Sequence, residues 1–378
     1  MRARRIWAVA RKEVLHIRRD PRSLAMGIAI PMLLLVLFGY ALTLDVDDVP
    51  LVVWDQSETP ASRELIAGFQ GSRYFSLRSS YASSYAEIER AIDLGEALMA
   101  IVVPPALGRE TGTGTVPVVQ MLVDGSDSNT AALAIGYGES VVRRWSQEVA
   151  LDRLQRRGGR SMELPLEVRP RVWFNADLES KNYIIPGLIA VIMMVIAALL
   201  TSLTVAREWE TGTMEQVIST PLKGPELILG KFLPYFGIGL LDVLLAVLMG
   251  AFVFAVPLRG SVTLLFVLAA VFLTGTLALG LAISIVTRGQ LLASQLAMVL
   301  TFLPAFMLSG FMYNIDNMPR AIRAVTYLVP ARYFVTLLKG IYLKGIGLDL
   351  LALPALLLAL FSVVMFAVAI FAFHKHLE

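Results

Sequence analysis

The chemistry open to this chain is bounded first by what it lacks. It holds three histidines and no cysteine. The histidines, His16, His374 and His376, stand near the two ends, so the long central stretch 45–181 has none. Ser-His-Asp catalysis and histidine-bearing metal sites are therefore excluded there. Asp124 and Asp127 flank Gly125-Ser126 in the manner of a calcium loop, but the other ligands and a Glu at loop position 12 are missing, which leaves a turn. Asp45, Asp47 and Asp48 form an acidic collar beside an apolar run. Gly224, Gly230 and Lys231 invite a phosphate-binding reading. A P-loop has four residues between its glycines and Ser or Thr after the Lys; here five intervene and Phe232 follows. No catalytic, cofactor-binding or metal residue is expected in this chain. Asp242 is different: it is the only charge in Phe232–Leu258. A carboxylate at the centre of a bilayer costs about 2.5–3.5 kcal/mol, so it must face a protein interface or a wet cavity. Two readings stand side by side, a pathway for a cationic substrate and a hydrogen bond to Gln290, Gln295, Thr301 or Ser202.

The elements that carry these residues are mostly apolar. Hydrophobic residues make up 56% of the chain and charged residues 17%, against about 25% charged in a soluble domain. Six stretches are long enough to cross a bilayer, which takes about 20 apolar residues: 23–44, 182–206, 232–258, 260–287, 289–315 and 349–373. The first is too long for the apolar region of a signal peptide and reads as a retained span. Before it, Arg2, Arg4, Arg5, Arg11, Lys12, Arg18, Arg19 and Arg22 alternate with Ile6, Trp7, Val9, Ala10, Val14 and Ile17. That pattern predicts an interfacial helix over 1–22, lying on the cytoplasmic side. Six crossings return the tail 374–378 to the cytoplasm. The outer loop 316–348, with Arg320, Arg323, Arg332, Lys339 and Lys344, carries more positive charge than this topology prefers.

Residues 45–181 would lie outside. They hold 14 Lys/Arg against 20 Asp/Glu. Short β-rich runs predict strands at Pro50–Trp54, Arg73–Leu77, Ala97–Val103 and Val116–Val123, and helical patterns between them predict helices at Pro60–Phe69, Tyr85–Leu94 and Asn129–Arg157. Val168–Phe174 would be a last extended segment. This is a mixed α/β domain large enough for its own core. The fold class is thus a polytopic α-helical membrane protein, with six transmembrane helices and an α/β extracytoplasmic domain between the first two.

The segment 207–231 would be cytoplasmic. Thr213 with Gln216 three residues on fits a capping box. Thr220-Pro221 ends a short helix, and Gly224-Pro225 opens another with Pro at its first position. A short helix held between two spans suits docking onto a cytoplasmic partner.

Here a resemblance becomes specific. The run REWETGTMEQVISTPLKGPELILGK resembles the signature loop of ABC-2 type exporter permeases. RKEVLHIRRDPRSL, YIIPGLIAVIMM and LSGFMYNIDNMPRAIRAVTYLVPARYFVTLLKGIYLKG resemble the N-terminal helix, second span and outer re-entrant region of that family. The large domain between the first two spans is similar to its bacterial drug-efflux subgroup. The resemblance covers nearly the whole chain.

It implies a permease subunit in the bacterial inner membrane that exports amphipathic, drug-like compounds. It implies a separate cytoplasmic ATPase that binds ATP and Mg, a second permease subunit, identical or related, and in this subgroup a membrane-fusion protein. It implies that Thr213–Ser219 is the coupling helix, with Glu208, Glu210, Thr213, Glu215 and Gln216 as coupling residues. It also implies short helices at Met318–Val325 and Ala331–Tyr342 that dip toward the membrane. Export of a lipid or lipid-linked glycan is the alternative within transport, and a receptor sensing a ligand through residues 45–181 is the alternative outside it. No nucleic acid partner is expected.

Overall fold

The computed structural model describes residues 3–20, 25–42, 47–78, 81–107, 118–156, 173–175 and 179–374. In chain order the elements are α1 (Ala3–Arg19), α2 (Ile30–Ala41, after a π-turn at Ala25–Ala29), β1 (Val49–Asp55), α3 (Pro60–Gln70), β2 (Phe75–Leu77), α4 (Tyr85–Asp93), β3 (Met99–Val103), β4 (Gln120–Val123) and α5 (Ser128–Arg156). There follow α6 (Ser180–Glu210), α7 (Thr213–Ile218), α8 (Gly224–Phe252), α9 (Val262–Thr287), α10 (Gln290–Leu308), α11 (Arg320–Thr326), α12 (Pro330–Lys339) and α13 (Leu348–His374). They divide into two compact units, one of residues 1–43 and 172–378, the other of residues 44–171.

The first unit is helical. Five of its helices, α6, α8, α9, α10 and α13, are long and apolar enough to cross a membrane. α6 lies at the centre: nearly all of Asn182–Ala206 is buried, against α9, α10 and α2 among others. Between apolar helices in lipid the hydrophobic effect supplies little, so close packing and hydrogen bonds carry the contact. The Thr201 hydroxyl donates to Leu277 O at 2.9 Å, and Ser284 Oγ accepts from the N–H groups of Val205 and Ala206. Ser362 ties α13 to α9 through Val271 O at 2.7 Å.

The stretch expected as the first span is helical over Gly27–Ala41, shorter than a crossing needs. Its flanks, 21–24 and 43–46, lie outside the described residues, as do Asp45 and Lys375–Glu378. α11 and the helix through Pro330–Lys344 are bent by 83° about Val329-Pro330. This bent pair stands where two short dipping helices are expected. Several of the basic residues there are tied down locally. Arg332 stacks on the Tyr327 ring at 3.8 Å, Lys344 lies 5.9 Å from the Phe174 ring, and Arg323 reaches Asp316.

The second unit is α/β. Its sheet has the order β2-β1-β3-β4, with β1 parallel to β2 and β3, and β4 antiparallel to β3. Three strands, β1, β2 and β3, fall within two residues of the expected runs, and β4 starts four residues later than its run. The crossovers β1–α3–β2 and β2–α4–β3 run in opposite directions, so right-handed connections put α3 and α4 on opposite faces. The cores agree: Leu65, Ile66 and Phe69 pack with Val49, Leu51 and Val53, while Ile88 packs with Val52, Ala100 and Val102. Asp124 and Asp127 form turns. The Thr130 hydroxyl, with the Asn129 and Thr130 N–H groups, holds the Asp127 carboxyl below its usual range. Most of Val168–Phe174 lies outside the described residues.

Candidate functional site

The informative region is the loop that joins α6 to α8. α6 ends because Thr211 and Gly212 fold back: their N–H groups donate to Arg207 O and Trp209 O. Gly212 has φ +67°, a left-handed conformation that glycine adopts without a Cβ penalty. Gly212 is therefore the N-cap of α7, which corrects the expected capping box. The Thr213 hydroxyl pairs with Thr211 Oγ1 at 3.0 Å, outside any cap, and no side-chain cap closes α7. Met214 is fully buried and anchors the helix, with Val217 half-buried beside it. Glu215, Gln216 and Ile218 face outward. α8 then starts at Gly224 with Pro225 in its first turn, as expected.

Beneath α7 lies a charge cluster that sequence reading missed. Lys231 is fully buried, and its Nζ sits 2.8 Å from Glu13 Oε1 and 2.9 Å from Glu208 Oε1. Lys12 Nζ reaches the same Glu208 oxygen at 2.7 Å. Two carboxylates and two ammonium groups thus balance. A buried charge tolerates that setting only when paired, and deleting one partner costs about 3–5 kcal/mol. α1 supplies Lys12 and Glu13 by lying along α8. A Cβ on Gly230 would stand 2.6 Å from Val9 Cβ, so glycine there sets the approach. Gly230-Lys231, which tempts a nucleotide reading, instead seats one helix and pins it. Arg5 adds a second tie, to Glu226 at 3.5 Å and to Pro221 O.

The expected apolar face of α1 is only partly its buried face. Val9, Ala10, Glu13 and Ile17 are buried, while Trp7 and Val14 are exposed. Val9, Glu13 and Ile17 are spaced by four and share one side of a helix. That spacing was the available signal: an acid on the packing stripe of a basic helix needs a buried cation.

The coupling residues named from the sequence therefore separate. Glu208 points into the cluster. Glu210 accepts from the Gln290 backbone N–H at 2.7 Å and its side-chain amide at 2.5 Å, closing the start of α10. Thr213 stays within the turn. Glu215 and Gln216 are exposed on α7, as Glu210 is at the end of α6. Arg207 binds His16 at 2.8 Å, Gln290 at 3.2 Å and Asp20 at 3.4 Å. A cavity of about 300 Å³ opens between α1, α6 and α8, lined by Lys12, His16, Arg207, Glu208 and Tyr235 among others. Glu208 Oε2 has no hydrogen-bond partner among the described residues.

Asp242 is 1% exposed, and its Oδ1 has no partner among the described residues. The four hydrogen-bond partners considered for it are engaged or placed elsewhere: Gln290 with Arg207 and Glu210, Thr301 with Ala297 O, Ser202 with Leu199 O, and Gln295 on an exposed position. At the far end of α6, Gly187 is a packing point, since a Cβ there would lie 2.4 Å from the Phe311 ring. The Tyr183 hydroxyl donates to Phe311 O at 3.2 Å, and Lys339 sits 3.4 Å from the Tyr183 ring centre.

A bundle of long apolar helices, rooted at one end in a paired-charge junction and joined there by a short outward-facing helix, is the architecture of a multi-helix membrane protein. The chain belongs to the ABC-2 transporter family: the model described as ABC-2 family transporter protein matches residues 21–371. It is 40% identical over 342 residues to the probable multidrug ABC transporter permease YbhS of Escherichia coli K12, covering 90% of this chain and 89% of that protein. It is 29% identical to the probable multidrug ABC transporter permease YbhR of the same strain, over 90% of each. The inner membrane transport permease YhhJ of that strain is 26% identical over 298 residues, 77% of this chain and 76% of its own.

Proposed function

We propose that this chain is the permease subunit of an ATP-binding cassette exporter of amphipathic, drug-like compounds, driven by a separate cytoplasmic ATPase. The observation that carries the reading is α7: six residues held between two long helices, anchored inward by Met214 and presenting Glu215, Gln216 and Ile218 outward. Such a helix transmits force only if its roots are stiff, and the Glu208–Lys231–Glu13 cluster stiffens them. The ATPase seats α7, and its closure on ATP moves the junction. A second permease copy completes the pathway. α1 and both termini lie in the cytoplasm of a bacterial cell with the chain in its inner membrane, and Gly27–Ala41 lies in the first of six crossings. Residues 45–181 lie outside, where a membrane-fusion protein is the fitting partner. Asp242, buried with an oxygen unpartnered among the described residues, marks the pathway for cations. The family match and the names of the relatives support the class of activity.

The test is purification of the tagged chain from its host in mild detergent, with mass spectrometry of what accompanies it. A stoichiometric P-loop ATPase is the expected result. Its absence, under conditions that hold other such complexes together, would overturn the reading.

A further inference from the structure

The second unit carries a feature that transport does not explain. α3 leaves β1 on one face of the sheet and α4 leaves β2 on the other, so the chain parts at the carboxyl ends of these two neighbouring strands. Open α/β sheets bind their ligands outside the carboxyl ends of their strands. A crevice of about 770 Å³ is found there, between the β1–α3 loop and the segment after β2. That volume lies in the range of small-molecule sites, about 300–1,000 Å³.

Its walls are chemically mixed. Trp54 and Tyr81 bring aromatic surface, Glu58 a carboxylate, Arg63 a guanidinium, and Gln70 and Ser83 neutral polar groups. Arg63, Ile66 and Gln70 recur at helical spacing, so one stripe of α3 forms a wall and Ile66, 4% exposed, its apolar floor. Glu58 and Arg63 make no ion pair among the described residues, with each other or with a third group, although both line the crevice. The loop between them is rigid. The Asp55 carboxylate accepts from the N–H groups of Ser57 and Glu58 at 2.9 and 3.1 Å and from the Ser62 hydroxyl at 2.7 Å. Ser62 is fully buried and closes a capping box with Thr59. Glu58 itself is held at φ +51°, a conformation uncommon outside glycine. Asp55 is thus satisfied and positions the loop, leaving the opposite charges of Glu58 and Arg63 free in a preformed cleft.

We propose that this crevice binds a small zwitterionic solute with an aromatic body, its amine toward Glu58, its acidic group toward Arg63 and its ring against Trp54 and Tyr81. Both charges are needed because a ligand with one would leave the other wall residue unmatched. The site belongs to the second unit alone and does not rest on the export reading.

The experiment is titration calorimetry on the full-length chain in detergent. The probes are L-phenylalanine and its dipeptide, with phenethylamine and 3-phenylpropionate as single-charge controls. At least one zwitterion is expected to bind saturably, with both controls at least about tenfold weaker. Arg63→Ala and Glu58→Gln are each expected to raise Kd about tenfold. Arg63→Lys, which keeps charge but loses the two-pronged fork, should fall between. Both side chains are exposed, so the melting temperature should not move. No saturable heat from either zwitterion, controls as tight as the zwitterions, or variants that bind like the parent would overturn the proposal.

Discussion

Lys231 Nζ lies 2.9 Å from Glu208 Oε1, and this contact closes the base of the segment that carries α7. Glu208 stands in the last turn of α6 and Lys231 in the second turn of α8, so one buried pair clasps both roots of the loop. Glu13, at 2.8 Å from the same ammonium, fastens α1 to the clasp.

Breaking that clasp on one side should be worse than removing it. Lys231→Met leaves Glu13 and Glu208 buried without their shared cation, at a cost of about 3–5 kcal/mol. Adding Glu13→Gln to Lys231→Met should recover part of the loss. Thermal unfolding in detergent reads both, and equal melting temperatures for the single and double variants would show that the cluster is not coupled.

Gly230→Ala should displace α1, because the new Cβ would stand 2.6 Å from Val9 Cβ on a helix packed alongside. Overpacking of this kind costs about 1–3 kcal/mol. Gly230→Ala with Val9→Ala should restore much of it. Protease accessibility of the Arg11-Lys12 bond reports the displacement directly, and an unchanged cleavage rate in Gly230→Ala would refute it.

The outward face of α7 is separable from its anchor. Glu215→Arg and Ile218→Asp should lower ATPase co-purification several-fold while leaving the melting temperature within a degree or two, since exposed changes usually alter stability by less than about 0.5 kcal/mol. Met214→Ala should act the other way round, with about 2–5 kcal/mol lost from the buried anchor. If Glu215→Arg and Ile218→Asp retain the ATPase fully, α7 is not the docking element.

Asp242→Asn keeps the shape of a buried side chain and removes its charge. Export of a cationic compound should fall about tenfold or more relative to a neutral one of similar size. Equal loss of both, measured as efflux from loaded cells, would assign Asp242 to packing.

The amino-acid sequence by itself determined most of the elements. Long uncharged runs define α6, α8, α9, α10 and α13. Short β-rich runs define the strands, and Pro221 and Pro225 bound the end of α7 and the start of α8. These are local properties, written within one or two turns of each position. Tertiary structure decided which charges meet. Glu13 is a surface residue of a basic helix until α1 lies along α8, and Lys231 belongs to a failed phosphate motif until Glu13, 218 positions away, closes on it. It also turned Glu208 into the buried cluster and tied the exposed Glu210 to the start of α10, leaving Glu215 and Gln216 exposed on α7, and it left Asp242 Oδ1 without a hydrogen-bond partner among the described residues. The reason is physical: helix and strand periodicity follows from backbone geometry nearby, whereas the pairing of buried charges is set by low-dielectric contacts between segments far apart in the chain.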